Sequence, residues 1–289
     1  MFARFNHRPM TLVICLLALL PAPVSADTIY NNLTPNNQIA IATRPETAGQ
    51  FEIEAGDDFL LSSSAVANTA SVVGLLVPSA GGGTASISQV VAEIYRVFPN
   101  DSNAMRTPNV PTRLNSPSDV AFASRDSAGS GLTFSSSVLS SSFSALNSVQ
   151  PGGIHASPFQ TTLGNGPLTG QEVQLNLTFT TPFNLPADHY FFVPQVAVDG
   201  GQFYWLSASR PITGAGTTPF APDLQVWTRD AFLDPDWLRV GTDIVGGSPA
   251  PTFNAAFSLE GTVPEPSTLL LLGFALAGLA AWRKENDSV

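Results

Sequence analysis

The chain has 289 residues, 22 of them acidic and 12 basic, for a formal net charge of −10; it lacks the basic face that binding a nucleic acid requires. Its single cysteine, Cys15, lies near the start, which leaves the rest of the chain without a disulfide or a cysteine-built metal site. Between residues 27 and 262 the only cations are Arg44, Arg96, Arg106, Arg113, Arg125, Arg210, Arg229 and Arg239, so Ser, Thr, Asn, Gln and Gly must build most of the surface there.

The first 26 residues open with Arg4 and Arg8, continue through an apolar run at 11–20, meet Pro21, and end in Val24-Ser25-Ala26 before Asp27. A basic start, a short apolar run and small residues at the end form a secretory signal peptide, so cleavage is expected between Ala26 and Asp27. The apolar run is too short to span a bilayer. Export by the Sec machinery and removal by signal peptidase follow from this reading.

From residue 27 to 262 short β-prone runs alternate with clusters of Gly, Pro, Ser, Asn and Asp. Strands are predicted at 51–61, 70–77, 87–98, 132–143, 173–181, 189–198, 202–208, 224–228 and 253–259. Val173, Leu175, Leu177 and Phe179 alternate with Gln174, Asn176, Thr178 and Thr180, a period of two that puts one strand face in a core and the other in water. No helical stripe is sustained, and 24 prolines and 23 glycines in the chain would break most helices. The expected fold is all-β, an antiparallel β-sandwich of the jelly-roll or lectin-like kind, spanning 27–262 as one body. Residues 100–130 are expected to form a long loop or insertion, and the serine-rich 132–143 run an edge strand.

Few residues in this body invite chemistry. No serine sits in Gly-x-Ser-x-Gly, the motif of a nucleophile elbow. His155 lies in a Gly-Gly-Ile-His loop, and the adjacent Asp188 and His189 would point to opposite faces of a strand. Turn-forming Asp is the commoner explanation of the acidic pairs, but loop carboxylates suit Ca²⁺, and Asp234, Asp236 and Asp243 are the first candidates for such a site. Tyr204, Trp205, Trp227 and Trp237 could stack on a sugar ring, and with Phe203 and Trp205 on one strand face and Tyr204 on the other, at least one ring is expected to face outward. The competing reading makes all of them core.

At the end of the chain Val263-Pro264-Glu265-Pro266-Ser267-Thr268 is followed by an uncharged run at 269–282 and by Arg283 and Lys284. Pro264 and Pro266 hold an extended segment that cannot join a helix or a sheet interior, suited to a processing enzyme's grip. As a helix, 269–282 would be about 21 Å long, short for a hydrocarbon core of about 30 Å. Arg283 and Lys284 orient such a helix with its end cytoplasmic and the body outside.

These three parts resemble the PEP-CTERM sorting signal, with residues 263–289 as the sorting region. The resemblance implies processing near residues 263–268 by an exosortase, a membrane protease or transpeptidase of bacteria that make exopolysaccharide. It implies an inner-membrane intermediate with its body in the periplasm, then a surface or extracellular form associated with exopolysaccharide. The chain departs from the family's pattern in having only two basic residues before Glu285-Asn286-Asp287-Ser288-Val289. The sequence therefore reads as a non-enzymatic exported surface or matrix protein. A carbohydrate-binding module, an adhesin and a secreted glycan hydrolase are the rival readings, and the hydrolase would need two carboxylates across a concave site.

Overall fold

The structure, a computed structural model, describes residues 27–81, 83–103, 105, 114–150, 161–209, 224–230, 237–263 and 273–278. The signal peptide with Ala26, His155, Asp234 and Asp236, the sorting residues Pro264 to Thr268, most of the 269–282 run, and Arg283 and Lys284 lie outside the described residues.

Within them the chain is mostly β. In order come β1 (Asp27–Asn31), β2 (Pro35–Ala42), β3 (Ile53–Leu60), β4 (Ala65–Pro78), β5 (Ser86–Arg96), β6 (Ala123–Asp126) and β7 (Leu132–Ala145). Then follow β8 (Asn147–Val149), β9 (Leu168–Leu185), β10 (His189–Asp199), β11 (Gly201–Ala208), β12 (Trp227–Asp230), β13 (Leu238–Arg239) and β14 (Phe257–Thr262). One π-helical turn, Val240–Val245, follows β13, and residues 273–278 are helical.

Two sheets result. The first runs β1-β14-β4-β11-β2-β8, with β9 and then β7 extending it from β4; the second runs β13-β12-β3-β10-β5-β6. All their ladders are antiparallel except the parallel pair β2 and β8. β4 organises the first sheet, because its length lets it pair with β14 over 66–72, with β11 over 74–78 and with β9 over 65–76. The approach to β11 requires a glycine at 74, where a Cβ would lie 2.2 Å from the Phe203 ring and 2.5 Å from the Tyr204 carbonyl oxygen.

The facing sides of the two sheets share one apolar core. Phe192 of the second sheet stacks on Phe257 of the first at 5.3 Å between ring centres, and Trp205 meets both rings edge-on. Val173, Leu175, Leu177 and Phe179 are all buried in it, on the face their alternation predicts. Each buried side chain of this kind is worth about 1.5–3 kcal/mol, and ring pairs at these geometries add about 0.5–1.5 kcal/mol.

Each predicted strand contains or overlaps an observed one. Missed were β1, β2, β6, β8 and β13. The 100–130 stretch is not wholly loop, since it carries β6 and a bridge between Val97 and Pro117. β7 lies at an edge, pairing with β9 alone among the described strands.

Candidate functional sites at the chain ends and on the outer sheet face

The two ends of the body meet on one strand pair. β1 runs antiparallel to β14 with Asp27 opposite Gly261, and the Val263 backbone N–H donates to Asp27 Oδ2 at 3.4 Å. Tyr30 anchors this edge by stacking on Phe257 at 4.5 Å. The residue expected to begin the processed chain thus sits beside the first residue of the sorting region. Gly261 allows the close passage of β14 over β4, because a Cβ there would lie 1.9 Å from the Val66 carbonyl oxygen.

A second concentration of polar groups lies on the outer face of the second sheet. β3 brings Glu54 there, β5 brings Glu93 and Tyr95, and β12 brings Arg229 directly opposite Glu54. The Arg229 guanidinium donates from Nε to Glu54 and from Nη2 to the Tyr95 hydroxyl oxygen at 3.0 Å. Tyr95 in turn donates to Glu54 Oε1 at 2.6 Å, with Glu93 Oε2 at 3.1 Å. Burial, the charge of Glu54 and a hydrogen bond between the two carboxyls push Glu93 up to about 8. Burial and Glu54 also raise Glu52, which accepts from Gln195 Nε2 at 2.8 Å. Burial works against the charge on Arg229, but Glu54 outweighs it and the guanidinium is held more firmly protonated than usual.

This cluster is roofed by aromatic rings. Trp237 meets Tyr95 edge-on at 5.5 Å, lies 4.5 Å from the Arg229 guanidinium carbon, and donates from Nε1 to the Ser118 carbonyl at 3.1 Å. With Trp227, Leu224, Phe191, Val193, Tyr95 and Val97 it forms a second apolar cluster. Glu54 and Tyr95 are buried in this cluster, while Glu52 and Glu93 are half-buried.

The aromatic expectation needs correction. Tyr204, Trp205, Trp227 and Trp237 are 4, 0, 2 and 2 % exposed and Phe203 is 0 % exposed, so none offers the outward ring predicted for β11 and no coplanar row is presented. The physical reason is that both faces of β11 are covered. Trp205 enters the shared core, donating from Nε1 to the Ala256 carbonyl at 2.9 Å, while Tyr204 is capped by Gln150, whose Oε1 accepts its hydroxyl at 2.6 Å. Trp227 and Trp237 pack with Leu224, Phe191 and Val193 in the second apolar cluster.

His189 is fully buried, with Nε2 at 2.6 Å from Asp58 Oδ2, and Asp58 Oδ1 accepts the Leu224 N–H at 2.8 Å. The pair joins β10 to β3 and, through Leu224, to the segment that leads into β12. Asp243, the one described member of the Ca²⁺ candidates, accepts from Arg239 Nη2 and Nε at 2.6 and 2.9 Å and from its backbone N–H at 2.8 Å. Its oxygens are thereby engaged by a cation of the chain itself. The described residues contain no cluster of three or more His, Cys, Asp or Glu suited to a metal.

The decisive observation lies toward the end of the chain, from the end of β14 onward. Residues 262–284 match the family model of the PEP-CTERM protein-sorting motif. A PEP-CTERM motif marks an exported protein that passes through the membrane and is processed by an exosortase-like membrane enzyme. No curated protein and no solved structure matches the chain. No helix among the described residues is long and apolar enough to cross a membrane; of the 269–282 run, 273–278 are described and helical.

Proposed function

We propose that this protein is a non-enzymatic component of the cell surface or extracellular matrix, delivered by cleavage at both ends. Residues 1–26 direct export, 269–282 hold the exported body at the inner membrane, and the exosortase-like enzyme cuts within 263–268. The body, a β-sandwich of the jelly-roll or lectin-like kind formed by 27–262, then functions among exopolysaccharide.

The observation that carries this reading is the PEP-CTERM match directly after the last strand of the body. It is supported by the adjacency of Asp27 and Val263, which lets both cuts occur at one edge without disturbing the core. The engagement of Asp58, His189, Glu54 and Asp243 in internal pairs supports a body without catalysis, because a general acid or base must reach its substrate.

The test is to replace Pro264, Glu265 and Pro266 together by alanine in the native host. The expected result is retention of the uncut chain in the membrane fraction. Unchanged release of the altered protein would contradict the reading.

A further inference from the structure

Among the described strands β7 is a fourteen-residue outer strand. The strands ending the two sheet paths, β1, β8, β6 and β13, have five, three, four and two residues. A long outer strand carries unpaired backbone donors and acceptors along its free side, and proteins usually blunt such edges with charges, prolines, bulges or shortness. β7 contains neither charge nor proline, and residues 127–171 hold no Asp, Glu, Lys or Arg, in a chain of net charge −10. Two copies can approach along this edge without the like-charge repulsion that the acidic remainder of the body would impose.

The order of residues along the edge has a symmetry of its own. Phe134-Ser135-Ser136-Ser137-Val138-Leu139-Ser140-Ser141-Ser142-Phe143 reads alike in both directions, with two aliphatic residues at its centre. Those two, Val138 and Leu139, are 57 and 49 % exposed. An antiparallel pair of identical strands has a two-fold axis, and each residue then meets its mirror position. An axis between Val138 and Leu139 sets Phe134 against Phe143 of the second copy, each serine against a serine, and Val138 against Leu139.

We infer that β7 is a self-pairing edge through which two copies of this chain associate, antiparallel, about an axis between Val138 and Leu139. A ten-residue overlap makes about ten ladder hydrogen bonds, the number in a standard protein interface. The opposing effect is local. Register shifts toward β9 fall at 138/140 and 140/143, and the Ser142 N–H turns to Ser140 Oγ at 3.3 Å. The second half of the strand must straighten as the copies join, which lowers the affinity without removing the match.

The inference is independent of how the ends are processed. Its test uses the full chain with Cys15→Ser, in detergent micelles at micromolar concentration, with the polypeptide mass read by sedimentation. The expected result is a dimer, whose mass is halved by Val138→Lys with Leu139→Lys while circular dichroism is unchanged. A second measurement mixes Val138→Cys and Leu139→Cys proteins, which should cross-link with each other while neither does so alone, since strand neighbours point to opposite faces. A monomeric parent chain, a dimer indifferent to the two lysines, or a mixture that does not cross-link would overturn the inference.

Discussion

Val263 donates its backbone N–H to the carboxylate of Asp27 at 3.4 Å, so the residue expected to begin the processed chain lies beside the first residue of the sorting region on the β1–β14 edge. Removal of either end then leaves the ladder that closes this side of the first sheet intact. β1 is held there chiefly by Tyr30, stacked on Phe257 and tilted against Phe59 at 6.3 Å. Truncating Tyr30 to alanine removes both ring contacts and should cost about 2–4 kcal/mol. Denaturant unfolding measures this directly, and a loss within ~0.5 kcal/mol would mean that β1 contributes little to closing the edge.

The buried tryptophans give a second prediction. Because Trp205, Trp227 and Trp237 are enclosed, iodide should quench fluorescence of the body only weakly. Trp205→Ala should destabilise by about 3–5 kcal/mol, for it empties a core site and removes the bond to the Ala256 carbonyl.

Glu93 predicts a pH dependence with a definite sign. Its folded value of about 8 lies above the ordinary 4.5, so the folded state keeps a proton that the unfolded chain releases. Below about 4.5 both forms are protonated and the group is neutral in effect. Between about 4.5 and 8 the unfolded chain is favoured progressively, by a few kcal/mol in all, and above 8 the loss is complete. Glu93→Gln mimics the protonated form. It should raise the midpoint of thermal unfolding at pH 8 and above, with the gain vanishing toward pH 4.5. A gain equal at both pH values would contradict this account.

Arg229 predicts the opposite sense. Replacing it with methionine keeps much of the packing under Trp237 but leaves Glu54 buried without its cation. Breaking such a pair from one side costs about 3–5 kcal/mol. The double variant Arg229→Met with Glu54→Leu should recover much of that loss, and unfolding of the three proteins tests it as a cycle.

The sequence revealed β9 because Val173 to Phe179 alternate cleanly with polar neighbours, and revealed β10 as a continuous apolar run because it is buried on both sides. It concealed β2, whose opening Pro35-Asn36-Asn37 has the composition of a turn. The sorting motif was legible, since it is a local pattern of prolines, an apolar run and basic residues. Arg229 with Glu54 was not legible, because 175 positions separate them and only the register of β12 on β3 sets them opposite. The tryptophans misled for a related reason. A period of two tells which residues share a face, but not whether residues far along the chain, here Ser118 and Leu224, will cover it.

The central claim is most directly tested by the intact mass of the protein recovered from its native host in membrane, surface and medium fractions. The account predicts a surface or released form that begins at Asp27 and ends within residues 263–268. A chain that keeps residues 269–289 in every fraction would contradict it, leaving the PEP-CTERM region as a membrane anchor that is never cut.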